Sequence, residues 1–221
     1  MQSLDGLMEL GKTLTGTDSA GNYINADKLG TIVQFPSFNP TGTQRGYKAR
    51  PAGASQIRAV LLRNLSGITL MGKYLAQIKL TAGYDPITAV NGYSVTSANK
   101  NVVIIDPWLD ANGVAAGDLF WGIIGGPTLI RVPAATAAFV SGDIAVGDFI
   151  MSATVNAAST ANSTGSTGGR ACGVSITNAT DAAGAFNQAN AVLGRALSAK
   201  SSNQTTDRQD ILIQASIRWD R

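Results

Sequence analysis

What most constrains this chain is how often it must turn. Gly, Pro, Asn and Asp cut its apolar segments into short runs, with 25 Gly and seven Pro in 221 residues. The longest such runs, IRAVLLRNL from Ile57, NVVIID from Asn101, LFWGII from Leu119 and ILIQASI from Ile211, are rich in β-branched and aromatic residues. Runs of this length bounded by turn residues suit strands better than helices. The acids agree: there are thirteen Asp and one Glu, Glu9, and Asp favours turns and caps where Glu favours helix. The expectation is a mainly β fold, a small barrel or sandwich with many short antiparallel strands and an extended N-terminal arm.

The arm is read over residues 1–52. It opens with one short amphipathic stretch at Leu4, Leu7, Met8 and Leu10, then turns Gly-, Thr- and Asn-rich, and Pro36, Pro40 and Pro51 hold the residues before them extended. Phe35, Phe38 and Tyr47 stand in this loop-like run, and aromatics there call for a surface to dock on. Residues 53–221 form the body, with a division near residue 133 left open because Gly-Asp turns recur on both sides. Strands are expected over 57–65, 69–80, 101–106, 149–155, 170–177, 191–199 and 211–219. Asn91-Gly92 reads as a hairpin turn between ITAV and YSVT, and Gly125-Gly126-Pro127 as a hairpin-like break between 119–124 and 128–132. Residues 156–169 form a polar low-complexity loop. Ala134–Phe139 and Asp181–Ala191 are Ala-rich and suit short helical turns. Two echoes stand out. Val114–Phe120 resembles Ile144–Ile150, and Gly169–Ala171 resembles Gly194–Ala196.

Chemistry is hard to place. The chain has no His, which removes the commonest general base and zinc ligand. Its single cysteine, Cys172, sits in an apolar run with no His partner and reads as an inert thiol. Gly6–Thr13 fits the letter of the phosphate-binding pattern G-x-x-x-x-G-K-[ST], and Val102–Asp106 resembles the strand whose Asp would hold magnesium. A phosphate loop needs a buried strand before it and a helix after it. Only MQSLD precedes, and LTGTDSAGNY follows. Asp118 and Asp148, in their Gly-Asp turns, could be paired carboxylates, but such Asp residues cap backbone amides. The same reading applies to Asp85-Pro86 and Asp106-Pro107. No cofactor and no metal are expected, and the chain is not expected to be an enzyme. Charged residues make up 14% of the chain, below the roughly 25% usual in soluble domains. The net charge of +3 is spread thinly, with its densest stretch between Gln44 and Arg63, so nucleic acid is not an expected partner. No apolar stretch approaches the roughly 18 residues of a membrane span, and the N-terminus has no signal core. Trp108, Trp121 and Trp219 are large anchors. Trp219, close to the C-terminus, suits docking on the chain's own body or on a neighbour.

Five segments together resemble the head decoration, or cement, proteins of tailed bacteriophages: VAAGDLFW (114–121), DFIMS (148–152), RACGVS (170–175), GRALS (194–198) and ILIQASI (211–217). The resemblance spans residues 57–219 and lies in turn chemistry and spacing. This chain departs from it in its longer body and the loop at 156–169. The resemblance implies a virion protein, made in the host cytoplasm, that sits on the outer surface of the capsid and clamps junctions between major capsid proteins. It implies a homo-oligomer, a trimer or a dimer, with no membrane partner. Phe35, Phe38, Tyr47 and Trp219 are the expected partner contacts. A second reading is a carbohydrate- or receptor-binding β module of a phage tail or fibre, for which Tyr74, Tyr84 and Tyr93 are the candidate groove aromatics.

Overall fold

The structure, a computed structural model, describes residues 10–35, 56–79, 88–94, 101–132, 144–152, 171–174, 192–200 and 209–217. The regular structure among these residues is almost entirely β, as expected. The ten strands are β1 (Ile32–Phe35), β2 (Ile57–Asn64), β3 (Leu75–Ile78), β4 (Ala89–Tyr93), β5 (Val102–Ile105), β6 (Leu119–Val132), β7 (Phe149–Ser152), β8 (Ala171–Val174), β9 (Gly194–Ala196) and β10 (Gln209–Ser216). They form one sheet in the order β1-β2-β4-β3-β5-β6-β10-β9-β7-β8, and a further β2–β6 pairing closes β2, β4, β3, β5 and β6 into a ring. The sheet is mixed, because β2 and β4 run parallel; the remaining pairings are antiparallel.

The organising element is β6, a single strand of 14 residues. The expected break at Gly125-Gly126-Pro127 is a bend inside it. Residues 119–125 pair with β2, and residues 125–132 pair with β10. At the crossover Gly126 has φ +91°, and a Cβ there would lie 2.2 Å from the carbonyl oxygen of Gln56. Only Gly allows both that φ and that approach. The bend carries the strand from the closed ring, lobe 1, into a second group, β10-β9-β7-β8, lobe 2. There β8 returns to within 8 Å of β6, Cα to Cα.

Asn91-Gly92 also departs from expectation, for a related reason. Both residues lie within β4, opposite β3, where the register slips so that Gln77 faces Gly92 and Ile78 faces Val90. Asn91 is exposed between buried neighbours, and Gly92 has φ +134°. An Asn-Gly pair supplies the same backbone freedom to a bulge as to a turn.

One apolar cluster runs through both lobes. It includes Leu61, Ile104, Phe120 and Trp121 on one side and Ile130, Ile150, Leu193 and Ile211 on the other. The all-buried run Val102–Ile105 is the continuous apolar strand its sequence suggested. Asp210 of β10 accepts from Arg131 Nε of β6 at 2.8 Å and from Lys73 Nζ at 2.5 Å, and Arg131 N donates to the Lys73 carbonyl at 2.8 Å. This cluster ties the turn before β3 in lobe 1 to the first residues of β10. The buried hydroxyls of Ser94 and Ser152 meet at 2.8 Å, again lobe to lobe.

The described part of the expected arm, residues 10–35, is built into lobe 1. Leu14 bridges Leu119, and β1 pairs with β2. Leu10 joins the core. The other arm residues and the expected division at 133 lie outside the described residues, as do 156–169 and the two Ala-rich segments.

The echo between Val114–Phe120 and Ile144–Ile150 proves structural. Val114 exchanges both backbone bonds with Leu70 at 2.7 and 2.9 Å, and Ile144 does the same with Lys200 at 2.9 and 2.8 Å. Gly117 N donates to Asn64 O at 2.7 Å, and Gly147 N to Ala196 O at 2.8 Å. Asn64 N and Ala196 N donate to the carbonyls of Asp118 and Asp148, each at 2.9 Å. Gly117 and Gly147 have φ +88° and +95°. Lobe 2 therefore repeats a piece of lobe 1, with Arg195 at the place of Arg63 and Phe149 at the place of Leu119, the two cross-strand pairs. Of the second echo, Gly194–Ala196 matches Leu62–Asn64 of lobe 1, while Gly169 and Arg170 lie outside the described residues.

Candidate interaction surface

Of the expected partner contacts, Phe35 alone lies among the described residues. It is 2% exposed and packs edge-on against Trp121, ring centres 5.3 Å apart. An aromatic at the end of a strand fills the nearest apolar space, and here the closed ring supplies it. Phe38, Tyr47 and Trp219 lie outside the described residues. Trp121 is a core residue, and Trp108 is partly buried against the core.

The sequence motifs resolve into structural turns. Gly11 N donates to Asp106 Oδ2, and Trp108 N to Asp106 Oδ1 at 3.0 Å. An amide that would cradle a phosphate is thus held by a carboxylate. After Thr13 the chain runs on to the Leu14 bridge with no helix. Asp148 Oδ2 accepts from Ala145 N at 2.8 Å, and Asp118 Oδ1 accepts from Gly16 N at 3.2 Å. Both carboxylates cap amides, as the turn chemistry suggested. Among the described residues no group of three or more His, Cys, Asp or Glu side chains is placed to hold a metal. No helix there is long and apolar enough to cross a membrane.

A groove of about 540 Å³ opens on lobe 2 beside the repeated Gly-Asp turn, lined by Val146, Phe149, Val192, Arg195 and Leu197 and by the polar ends of Gln214 and Ser216. Val146 is 66% exposed and Leu197 43%. The Arg195 guanidinium lies 4.3 Å from the Phe149 ring centre. Large exposed apolar side chains grouped around one concavity mark a contact surface more than a solvent face.

On lobe 1 the matching place is covered by the chain itself. The segment after Leu14 turns at Asp18–Asn22 and returns, and Tyr23 lies 4.1 Å over the Arg63 guanidinium. Arg63 Nη2 donates to the Ile24 carbonyl at 3.0 Å. Arg63 is 4% exposed, and burial lowers its pKa from the usual arginine value. Sequence reading placed Arg63 at the end of the densest basic stretch, Val146 in the Gly-Asp echo and Leu197 in the strand expected over 191–199. The echo itself was the signal that could have located the groove.

The fold and this surface define a class: a mainly β protein of two lobes that share one sheet, with an open groove on lobe 2 among the described residues. No family model and no curated protein matches the chain. Among solved structures it is similar to one described as the head fiber gp8.5 N base in bacteriophage phi29, at 13% identity and a TM-score of 0.36, covering 72% of this chain and 94% of that one.

Proposed function

We propose that the chain is a structural virion protein of a tailed bacteriophage, without enzymatic activity, that binds the outer surface of the capsid and stabilises contacts between major capsid proteins. The observation that carries this reading is the groove around Val146, Phe149 and Leu197, open on a scaffold cross-tied by β6 and the Asp210 cluster. A cross-tied body with an apolar contact face suits a clamp, and many copies on a shell add their modest affinities by multivalency.

The glycan-binding reading loses support from burial. Tyr74 and Tyr93 are 3% and 1% exposed, so neither can stack on a sugar ring, and Tyr84 lies outside the described residues. The test is a heat challenge of phage heads stripped of their outer proteins, with and without the purified chain. The proposal expects DNA release to shift to higher temperature as the chain is added, reaching a plateau at saturation. A glycan-array signal with no effect on heads would turn the assignment to the tail or fibre module.

A further inference from the structure

The two lobes treat their matching arginines differently. On lobe 1, Arg63 is roofed by Tyr23 and accepted by the Ile24 carbonyl, both from an extended segment of the same chain. On lobe 2 the strand position beside Phe149 is likewise filled, by Val174 of β8. There the likeness stops. Arg195 is exposed, its guanidinium stacked on Phe149, and no carboxylate of the described residues lies at ion-pair distance from it. Stacking leaves the N–H edge of a guanidinium free to bind a carboxylate in its plane. Val146 and Leu197 stand beside it, more exposed than any strand core would allow.

We propose that the lobe 2 groove docks an extended, acidic and apolar segment of a partner polypeptide. A carboxylate of that segment pairs with Arg195, and its apolar side chains cover Val146 and Leu197, taking the part that Tyr23 and Ile24 play on lobe 1. Charge complementarity selects the partner: among the described residues the groove lining holds the cation Arg195 and no acid, and the chain carries a net charge of +3. Such a site accepts an acidic segment and rejects a basic one. The proposal deepens the capsid reading by naming the surface and the partner's chemistry.

The test uses the full chain and two fluorescein-labelled peptides, one repeating Asp-Tyr-Ile and one repeating Lys-Tyr-Ile, followed by anisotropy. The acidic peptide is expected to bind saturably and the basic one at least about tenfold more weakly. Arg195→Ala and Leu197→Asp, both at exposed positions, are each expected to weaken the acidic peptide about tenfold or more. Arg58→Ala, on the exposed side of β2, should leave it unchanged. Equal affinity for the two peptides, or full binding by both groove variants, would overturn the proposal. So would head binding that survives both substitutions, though the capsid reading would then stand. Peptide capture at the groove without any head binding would uphold the groove and remove the capsid reading.

Discussion

Asn64 and Ala196 occupy the same point of the two lobes, and the difference shows how single residues set local rigidity. Asn64 is fully buried. Its Nδ2 donates to the carbonyls of Ile68 and Val114 at 2.7 and 3.0 Å, and its Oδ1 accepts from Ser66 Oγ at 2.6 Å. Ala196 offers none of this. Replacing Asn64 with Ala would remove these bonds, leave the buried Ser66 amide without its Asn64 Oδ1 acceptor, and is expected to cost about 2–4 kcal/mol, by urea denaturation. Glycine positions give a sharper pair. Gly126 and Gly147 both have positive φ, but a Cβ at Gly126 meets the Gln56 carbonyl at 2.2 Å and one at Gly147 meets nothing within 4 Å. Gly147→Ala should cost only the backbone strain, about 1–2 kcal/mol. Gly126→Ala adds a backbone clash and should cost clearly more. Equal losses would contradict the bend at Gly126.

At the scale of elements, the strands themselves were readable and their connections were not. Ile57–Asn64 and Val102–Ile105 announced themselves by short β-branched runs with turn residues at both ends. Asn91-Gly92 and Gly125-Gly126-Pro127 misled, because local sequence reports that the backbone bends without reporting whether the ladder continues beyond the bend. Only the partner strands β3, β2 and β10 decide that. The Gly-Asp turns were legible as amide caps, but the groove beside the second one depends on Arg195 and Leu197 arriving from another strand. The Asp210 cluster is the element-scale tie most open to test. Burial alone would raise the carboxyl pKa; the hydrogen bonds from Arg131 and Lys73 outweigh it and hold the value below the usual carboxylate range. A depressed folded value means the tie stabilises fully above the unfolded pKa, about 3.9, and is lost as pH falls through the folded one. Asp210→Asn should therefore cost about 1–3 kcal/mol near neutral pH, and its difference from the native chain should shrink below about pH 4. A gap constant down to pH 2 would rule out an ionised Asp210 as its source.

The whole molecule is held as one body by β6, whose two halves serve different lobes of one sheet while one apolar cluster passes through both. Cutting the chain after residue 132 would leave the second half of β6 without β10, so residues 1–132 alone are expected to expose apolar surface, bind the dye ANS and lack cooperative melting. A cooperative transition in that fragment would show that lobe 1 stands alone. A cross-tied body with an open apolar groove is what the capsid reading requires, and binding to a shell is its central claim. Co-sedimentation of the full chain with phage heads, intact and stripped of their outer proteins, tests it most directly. The account predicts saturable binding at a fixed number of copies per stripped head and reduced uptake by intact heads whose sites are filled; a chain that stays in the supernatant with both would contradict it.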